Sequence, residues 1–349
     1  MAFFDLVGFH DSKGSYADAK NRLEHTDGEI VCPENGKSYG VGVFELVSLT
    51  ELRERVGKVS KDVPSANEKV FPQIRDNKPE KEDVKNYLRS KEYNGALFQV
   101  ASQFNLLEMQ DTNSTPEDGV EIYWHDHTQG PACAQATIGA TLYRNYFIKN
   151  GSQKGQTAFQ QVNCLNDVLS ALNMEQNIDY QYENGYICLT KNQFSVVNGA
   201  INKLSVQQRN DVMGLLKLGI HWNAQVNNES KPMNQRVSLI LCSALPLGHY
   251  ARPGVSLSDA EHLAQIILDG TQEATFLAGI LNKKLHSGSD KIVLTKVGGG
   301  VFGNPHEWIV NARYRSQCMF NENLDILQYH YNTMEKEYSL KKVQVRNDS

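Results

Sequence analysis

The sequence predicts an α/β protein with three layers, in which helices cover both faces of a mixed, mostly parallel sheet and helical insertions lie between the strands. Residues 96–101 and 237–244 are apolar without alternation, as expected for strands buried on both faces. Residues 291–297 form a third apolar run, which breaks into glycines before a new helix. Apolar residues at helical spacing separate these strands, which indicates parallel pairing.

Helix signals give the order of the remaining elements. Pairs of Ser or Thr with Glu or Gln three residues later form capping boxes and mark helix starts. Helices are predicted at 48–56 and 157–173, and another helix is predicted to end at 93. Further helices begin at the capping boxes of Thr190, Ser205 and Ser258, the last of which continues to 285, and at Pro305. A final strand is predicted at 324–331.

The chain is predicted to divide into an N-terminal extension or lid at 1–94 and a larger domain at 95–349. Residues 58–82 within the extension are charged and contain three prolines, which is typical of an exposed linker. No sequence pattern shows the purpose of the extension, and a docking surface for a modified protein is one possibility.

Composition excludes several classes of protein. The 349 residues carry a formal charge of −5, so the chain lacks the basic footprint of a nucleic-acid-binding protein. No apolar run approaches the ~20 residues of a membrane span. The six cysteines contain no C-x-x-C pair, which argues against a zinc ribbon or a disulfide scaffold. We expect a cytoplasmic protein with reduced thiols and with neither nucleic-acid nor membrane partners.

A glycine-rich segment follows the strand at 291–297. Gly298, Gly299, Gly300 and Gly303 allow positive φ and a close approach of backbone N–H groups to a ligand. The next helix adds partial positive charge at its N-terminus, which suits an anion. The alternative is a tight packing turn that binds nothing.

Polar residues are concentrated after the strand at 96–101. Residues 102–134 contain Asn105, Glu108, Asp118, Glu121 and Asp126 before the turn Thr128-Gln129-Gly130. Ligands of parallel sheets bind at the carboxyl ends of the strands. If their strands lie close in the sheet, the loops after 101 and 297 should therefore be neighbours.

Both loops resemble those of macrodomains. Residues 299–305, Gly-Gly-Val-Phe-Gly-Asn-Pro, resemble the second ligand loop of that family, although Asn304 replaces its usual aromatic. Residues 126–134 with Tyr-Arg-Asn-Tyr at 143–146 are similar to a divergent macrodomain-like family of ADP-ribosylhydrolases. The resemblance covers about residues 95–335, and the usual Gly-Gly-Gly of the first loop is absent.

The resemblance implies a macrodomain-like fold that binds ADP-ribose between the loops after 101 and 297. It implies that Gly299 to Gly303 hold the diphosphate, Phe302 packs on the distal ribose and Asn105 holds that ribose. It also implies removal of ADP-ribose from arginine on modified proteins, ubiquitin among them. The predicted ligand-binding residues are Asn105, Thr128, Gln129, Gly130, Gly298, Gly299, Gly300, Val301, Phe302, Gly303 and Asn304.

Hydrolysis of an N- or O-linked ADP-ribose requires a carboxylate that orients or activates water at an oxocarbenium-like transition state. Asp126 and Asp118 are the first candidates, with Glu108 and Glu121 behind them. A cluster of acids also fits a cationic arginine substrate. The structural alternative is that Asp118 begins a turn and Asp126 caps a helix.

Other chemistries have weaker support. His125 and His127 flank Asp126 but do not complete a metal ligand set, so we expect no metal and no cofactor. Cys133 near a helix N-terminus, with one of these histidines as base, makes a cysteine hydrolase a competing class. Arg144 is expected on a helix surface, with contact to a ligand phosphate as the alternative. A non-catalytic ADP-ribose reader would use the same pocket as a hydrolase.

Overall fold

The structure is a computed structural model that describes residues 1–59, 74–77, 83–173, 182–227, 234–320 and 322–331. The helices are α1 (Phe3–Val7), α2 (Tyr16–Asn21), α3 (Leu49–Val59), α4 (Val84–Arg89), α5 (Gln129–Ala136), α6 (Ile138–Leu142), α7 (Asn166–Asn173), α8 (Lys191–Ile201), α9 (Val206–Gly214), α10 (Leu257–Leu285) and α11 (His306–Met319). The strands are β1 (Glu24–Thr26), β2 (Glu29–Cys32), β3 (Lys37–Gly40), β4 (Val43–Ser48), β5 (Ile74–Asp76), β6 (Leu97–Ala101), β7 (Lys149–Asn150), β8 (Gln153–Lys154), β9 (Tyr182–Glu183), β10 (Tyr186–Ile187), β11 (Lys217–Gln225), β12 (Arg236–Cys242), β13 (Lys291–Leu294) and β14 (Asp325–Gln328).

A seven-stranded sheet forms the centre of the protein, with the order β4-β11-β12-β6-β13-β14-β5. The five strands from β12 to β5 are parallel, whereas β11 is antiparallel to both of its neighbours. β6 and β13 are adjacent, with Ile292 opposite Leu97. The prediction of a mixed, mostly parallel sheet is confirmed, and the loops after 101 and 297 are neighbours.

Helices cover both faces of the sheet. The long helix α10 packs on β6, β11 and β12 and carries α3, α8, α9 and α11 on its other sides. On the opposite face α5 contacts β6 and α6 contacts β11, and α4 packs on α5. The side chains of β6 and β12 are nearly all buried, as expected for strands between two helical layers.

Residues 1–94 supply both edge strands of the central sheet. β4 pairs with β11 at one edge, and β5 pairs with β14 at the other. Most of the predicted linker at 58–82 lies outside the described residues.

A second hydrophobic core joins the N-terminal segment to the rest of the molecule. Phe3 and Leu6 of α1 are buried in the same cluster as Tyr123, Tyr146 and Tyr186. Leu107 and Met109, which flank Glu108, belong to this cluster as well. The N-terminal segment therefore packs beneath the loop that follows β6.

Two helix predictions require correction. Only Asn166–Asn173 of the predicted helix 157–173 is helical, because Thr157 and Gln160 pair in a turn and leave Phe159 99% exposed. Helix α10 begins at Leu257, since Ser256 rather than Ser258 forms the capping box. The boxes at Ser48, Thr190 and Ser205 are confirmed.

Within the part of the chain that the structure describes, no helix has both the length and the apolar character needed to cross a membrane.

Candidate functional site

A cavity of about 470 Å³ opens where the carboxyl ends of β6, β12, β13 and β14 meet. This volume falls within the range of roughly 300–1,000 Å³ that is usual for small-molecule sites. Of the predicted site residues, those that line it are Glu108, Asp126, Thr128, Gln129, Gly130, Gly298, Gly299, Gly300, Val301 and Phe302. The fold therefore joins the two loops that the sequence singled out.

The glycine loop after β13 forms one wall of the cavity. Gly298 and Gly300 have φ of +85° and +55°, a conformation that other residues rarely adopt. A Cβ on Gly298 would lie 2.9 Å from the Cβ of Ala244, whereas one on Gly300 would meet no atom within 4 Å. Gly298 is thus required for packing, and Gly300 leaves space beside the cavity.

Backbone contacts from the loop after β12 hold the glycine loop in place. The Leu247 and Gly248 N–H groups donate to the Phe302 carbonyl at 2.7 and 2.8 Å. The Asn304 side chain donates to the carbonyls of Leu245 and Gly298 at 2.8 and 2.9 Å. Asn304 lies behind the loop, and neither it nor Gly303 is among the lining residues. Asn304 therefore braces the loop from behind.

The loop after β6 forms the opposite wall and is closed on itself. The Gln103 side chain accepts from the Met109 N–H at 2.7 Å and donates to the Met109 carbonyl at 3.2 Å. Leu106, at the tip, has φ +67°, which is uncommon for a bulky residue and is found at ligand sites more often than elsewhere. The closed loop presents Glu108 to the cavity.

Glu108 is a buried carboxyl group on the cavity wall. It is 2% exposed, and its Oε1 lies 3.2 Å from the Nη2 of Arg144, which is 1% exposed. Burial raises the pKa of Glu108 to about 7, although Arg144 acts in the opposite direction. The expectation that Arg144 lies on a helix surface is wrong, because the turn after α6 directs it into this pair.

Asp126 lines the same cavity just before α5. Its Oδ1 accepts from the Thr128 N–H at 2.7 Å, and the side chain is partly exposed. Its charge is close enough to contribute to raising the pKa of Glu108. The site therefore holds two carboxyl groups in different surroundings, one buried beside an arginine and one near solvent.

Helix α5 approaches the end of β6 closely. A Cβ on Gly130 would lie 2.2 Å from the carbonyl oxygen of Ala101, so only glycine fits there. The Gln129 side chain accepts from the Ala101 N–H at 2.8 Å. Gln129 thus ties the helix start to the strand, and the lack of a side chain at Gly130 allows the close approach of α5 to β6.

Asp118 and Glu121 lie outside the cavity lining. Asp118 Oδ2 accepts from the Thr115 N–H at 2.8 Å, so the residue has a structural role, although it ends the 3₁₀ turn Pro116–Asp118 and does not begin a turn. Glu121 Oε1 lies 2.9 Å from Nδ1 of His10, at the N-terminal segment. The function proposed below does not use these two carboxylates.

Asn105 is also absent from the cavity lining. Its Oδ1 accepts from the Leu107 N–H at 3.0 Å, and its Nδ2 donates to Gln161 at 2.8 Å. These bonds shape the loop after β6 from behind. The predicted contact of Asn105 with ribose stays a prediction.

Cys133 and the two histidines do not form a nucleophilic pair. Cys133 is completely buried, which raises the pKa of its thiol, and Gln129 donates to its sulfur at 3.2 Å. His125 and His127 are exposed and do not line the cavity. In the described ranges no group of three or more His, Cys, Asp or Glu side chains is arranged to hold a metal ion.

An aromatic wall was not predicted from the sequence. Tyr186 and Tyr250 line the cavity with ring centroids 4.9 Å apart, and Phe302 lies 5.7 Å from Tyr186. The two hydroxyls donate to the carbonyls of Met109 and Gln110 at 2.8 Å. Tyr186 begins the short strand β10 and Tyr250 lies in a turn, and neither belongs to a motif, so no sequence signal could have found them.

Comparison with known proteins finds distant structural likenesses and no sequence match. No protein-family model matches the chain, and no curated protein matches it. In structure it is similar to poly(ADP-ribose) glycohydrolase from Thermomonospora curvata, with a TM-score of 0.39 and 12% identity over 92% of this chain and 93% of that one. It is also similar to a mutant of the Deinococcus radiodurans enzyme in complex with ADP-ribose, with a TM-score of 0.37 and 12% identity over 84% of this chain and 89% of that one.

Proposed function

We propose that this protein is an ADP-ribosylhydrolase that removes ADP-ribose from arginine side chains of modified proteins. The observation that carries the proposal is the pairing, in one cavity of about 470 Å³, of a glycine loop with two carboxyl groups opposite it. The loop offers backbone N–H groups to a diphosphate, and the carboxyl groups suit a cationic transition state and a cationic acceptor. ADP-ribosylated ubiquitin is one substrate to test.

Gly298, Gly299 and Gly300 are assigned to the diphosphate in this proposal, and Phe302 to the distal ribose. Phe302 is half-buried and lies beside Tyr186, so the reacting sugar would sit near the aromatic wall. Asp126 has access to solvent and is assigned to orient and deprotonate the attacking water.

The reaction breaks the bond between the anomeric carbon and the guanidino nitrogen. The bonding electron pair leaves with the nitrogen as neutral guanidine, and the positive charge passes to the sugar as an oxocarbenium-like centre. Water adds to the anomeric carbon and gives its proton to Asp126. The guanidine then takes up this proton and leaves as guanidinium, so the enzyme returns to its starting state.

Replacement of Asp126 by Asn separates this hydrolase from a non-catalytic reader with the same pocket. For the hydrolase, release of ADP-ribose from arginine-linked substrate should fall by about 10²–10⁴-fold, while ADP-ribose affinity changes by a few-fold at most. Release is measured from arginine-, glutamate- and serine-linked substrates. A wild-type protein that binds ADP-ribose tightly and releases none from any of the three would support the reader.

Binding is tested by calorimetric titration with ADP-ribose, with ADP and AMP as controls. Gly300→Glu should abolish binding because the side chain fills the space beside the glycine loop. Gly300→Ala imposes the same backbone strain without that side chain and serves as the matched control. If the wild type shows no binding at millimolar ADP-ribose, the proposal is wrong.

A further inference from the structure

Arg144 contacts two parts of the loop after β6 from behind the cavity. Its Nε donates to the Leu106 carbonyl at 2.7 Å, and its Nη2 lies 3.2 and 3.4 Å from the two carboxylate oxygens of Glu108. Arg144 itself is not a lining residue, whereas Glu108 is. One buried guanidinium therefore fixes both the tip of the loop and the carboxyl group that the loop presents.

The contact at Leu106 matters for the direction of Glu108. Leu106 has φ +67°, and the carbonyl that Arg144 binds belongs to this residue. A conformation of this kind persists only where surrounding contacts impose it. Loss of the Arg144 contact would allow the loop tip to move, and the orientation of Glu108, two residues later, would change with it.

Glu108 faces charged and titratable groups from every side of its pocket. Tyr123 and Asp126 come from the segment before α5, Cys133 from α5, and Arg144 from the turn after α6. Burial is the largest influence and raises the pKa of Glu108, Arg144 lowers it and Asp126 raises it, and together they place the pKa at about 7. The charge of Glu108 thus depends on Arg144 at neutral pH.

We propose that ionised Glu108, together with Asp126, binds the guanidinium group of ADP-ribosylated arginine, and that Arg144 is the positioning residue that keeps Glu108 charged and turned toward the cavity. This inference rests on the proposed function and names the residues that recognise the arginine acceptor and the residue that positions Glu108. Arg144 balances the charge of Glu108, and Lys296 also lines the cavity, so a cationic acceptor would be favoured by the local placement of the two carboxyl groups and not by the net charge of the cavity.

The first test compares ligands with and without a guanidinium in the wild type and Glu108→Gln. The variant should raise KM for an arginine-linked substrate by about tenfold or more, whereas its affinity for free ADP-ribose, which carries no guanidinium, should stay within about threefold. Equal losses for the substrate and for free ADP-ribose would overturn the assignment of Glu108 to the guanidinium.

The second test examines Arg144 through the pH profile for the arginine-linked substrate. Activity should rise as Glu108 ionises, with a midpoint near pH 7. Arg144→Met removes the positive partner, so its midpoint should rise by about one pH unit or more, and Arg144→Lys should restore most of the shift. Arg53→Met is the matched control, because Arg53 pairs with buried Glu273 outside the cavity.

A third measurement does not depend on catalysis. Carboxyl ¹³C resonances of labelled glutamate, with Glu108→Gln to assign the signal, report the Glu108 midpoint directly in the wild type and in Arg144→Lys and Arg144→Met. An unchanged midpoint in a folded Arg144→Met protein would overturn the role of Arg144. If the Glu108 midpoint differs between the wild type and Arg144→Met but the wild type releases no ADP-ribose, the hydrolase function is contradicted and the role of Arg144 beside Glu108 stands.

Discussion

At the scale of single residues, surroundings give two chemically similar carboxyl groups different properties. Asp126 reaches solvent and bonds to the Thr128 backbone, whereas Glu108 is buried against Arg144. Carboxyl groups held in contrasting surroundings are typical of sites with acid or base chemistry. This difference supports separate roles for the two residues in the proposed reaction.

The buried Glu108 should make stability depend on pH. Its pKa in the folded state is about 7, against an ordinary value of 4.5. Its contribution to stability is therefore fully present below pH 4.5 and is lost as the pH rises through 7. Relative to the wild type, Glu108→Gln should gain on the order of 3 kcal/mol of unfolding free energy between pH 4.5 and pH 8.

Urea denaturation of both proteins at these two pH values measures the gain. Comparison with the variant cancels the contributions of other buried acids such as Asp11 and Asp269, whose pKa values burial also raises. If the difference in unfolding free energy between the two proteins is the same at both pH values, the pKa of Glu108 is not raised in the folded protein.

Gly130 should be intolerant of a side chain. A Cβ there would lie 2.2 Å from the Ala101 carbonyl, so Gly130→Ala forces α5 away from β6 and should cost roughly 1–3 kcal/mol of stability. Gly199 in α8 meets no atom within 4 Å, so Gly199→Ala should stabilise by roughly 0.5–1 kcal/mol. Chemical denaturation measures both, and a neutral Gly130→Ala would contradict the close approach.

At the scale of elements, the cavity is built from loops that other loops hold in place. The glycine loop receives backbone hydrogen bonds from residues 247–249, and the loop after β6 is closed by Gln103 and Arg144. Binding sites on loops gain precision when their conformation is fixed before the ligand arrives. These loops all begin at the carboxyl ends of adjacent parallel strands.

Asn304→Ala should loosen the glycine loop. The change leaves the carbonyls of Leu245 and Gly298 without this donor and should cost about 1–3 kcal/mol, with a clear loss of ADP-ribose affinity. Gln235 is the matched control, since its side chain also donates to two backbone carbonyls, Leu88 and Ser90, but outside the cavity. Gln235→Ala should lose stability and keep affinity, and equal affinity in both variants would contradict the bracing role.

At the scale of the whole molecule, the N-terminal segment, residues 1–94, is joined to the site through packing. It supplies edge strands β4 and β5, and its α1 shares a core with Leu107 and Met109 beside Glu108. Gly139 of α6 also lies so near Tyr39 that a Cβ would be 2.7 Å from that carbonyl. The segment therefore has a structural role in the loop that carries Glu108.

Deletion of residues 1–42 tests this role. It exposes buried residues of the second core, including Tyr123, Tyr146 and Tyr186, so we expect loss of a cooperative thermal transition and increased binding of a hydrophobic dye. Circular dichroism and dye fluorescence measure the two effects. A truncated protein that melts cooperatively and binds ADP-ribose as the full chain does would show that the segment is a dispensable lid.

Local sequence patterns predict the layers of the fold and one wall of the site. Unbroken apolar runs predict buried parallel strands because both faces are covered, and glycines with a following helix predict the loop at 298–303 because few other sequences allow that backbone. Which acidic residues lie together in the cavity depends on long-range packing. Asp118 and Glu121 resemble Asp126 as sequence, yet caps and the N-terminal segment hold them elsewhere. Tyr186, Tyr250 and Arg144 reach the site through packing between distant segments, which no local pattern encodes.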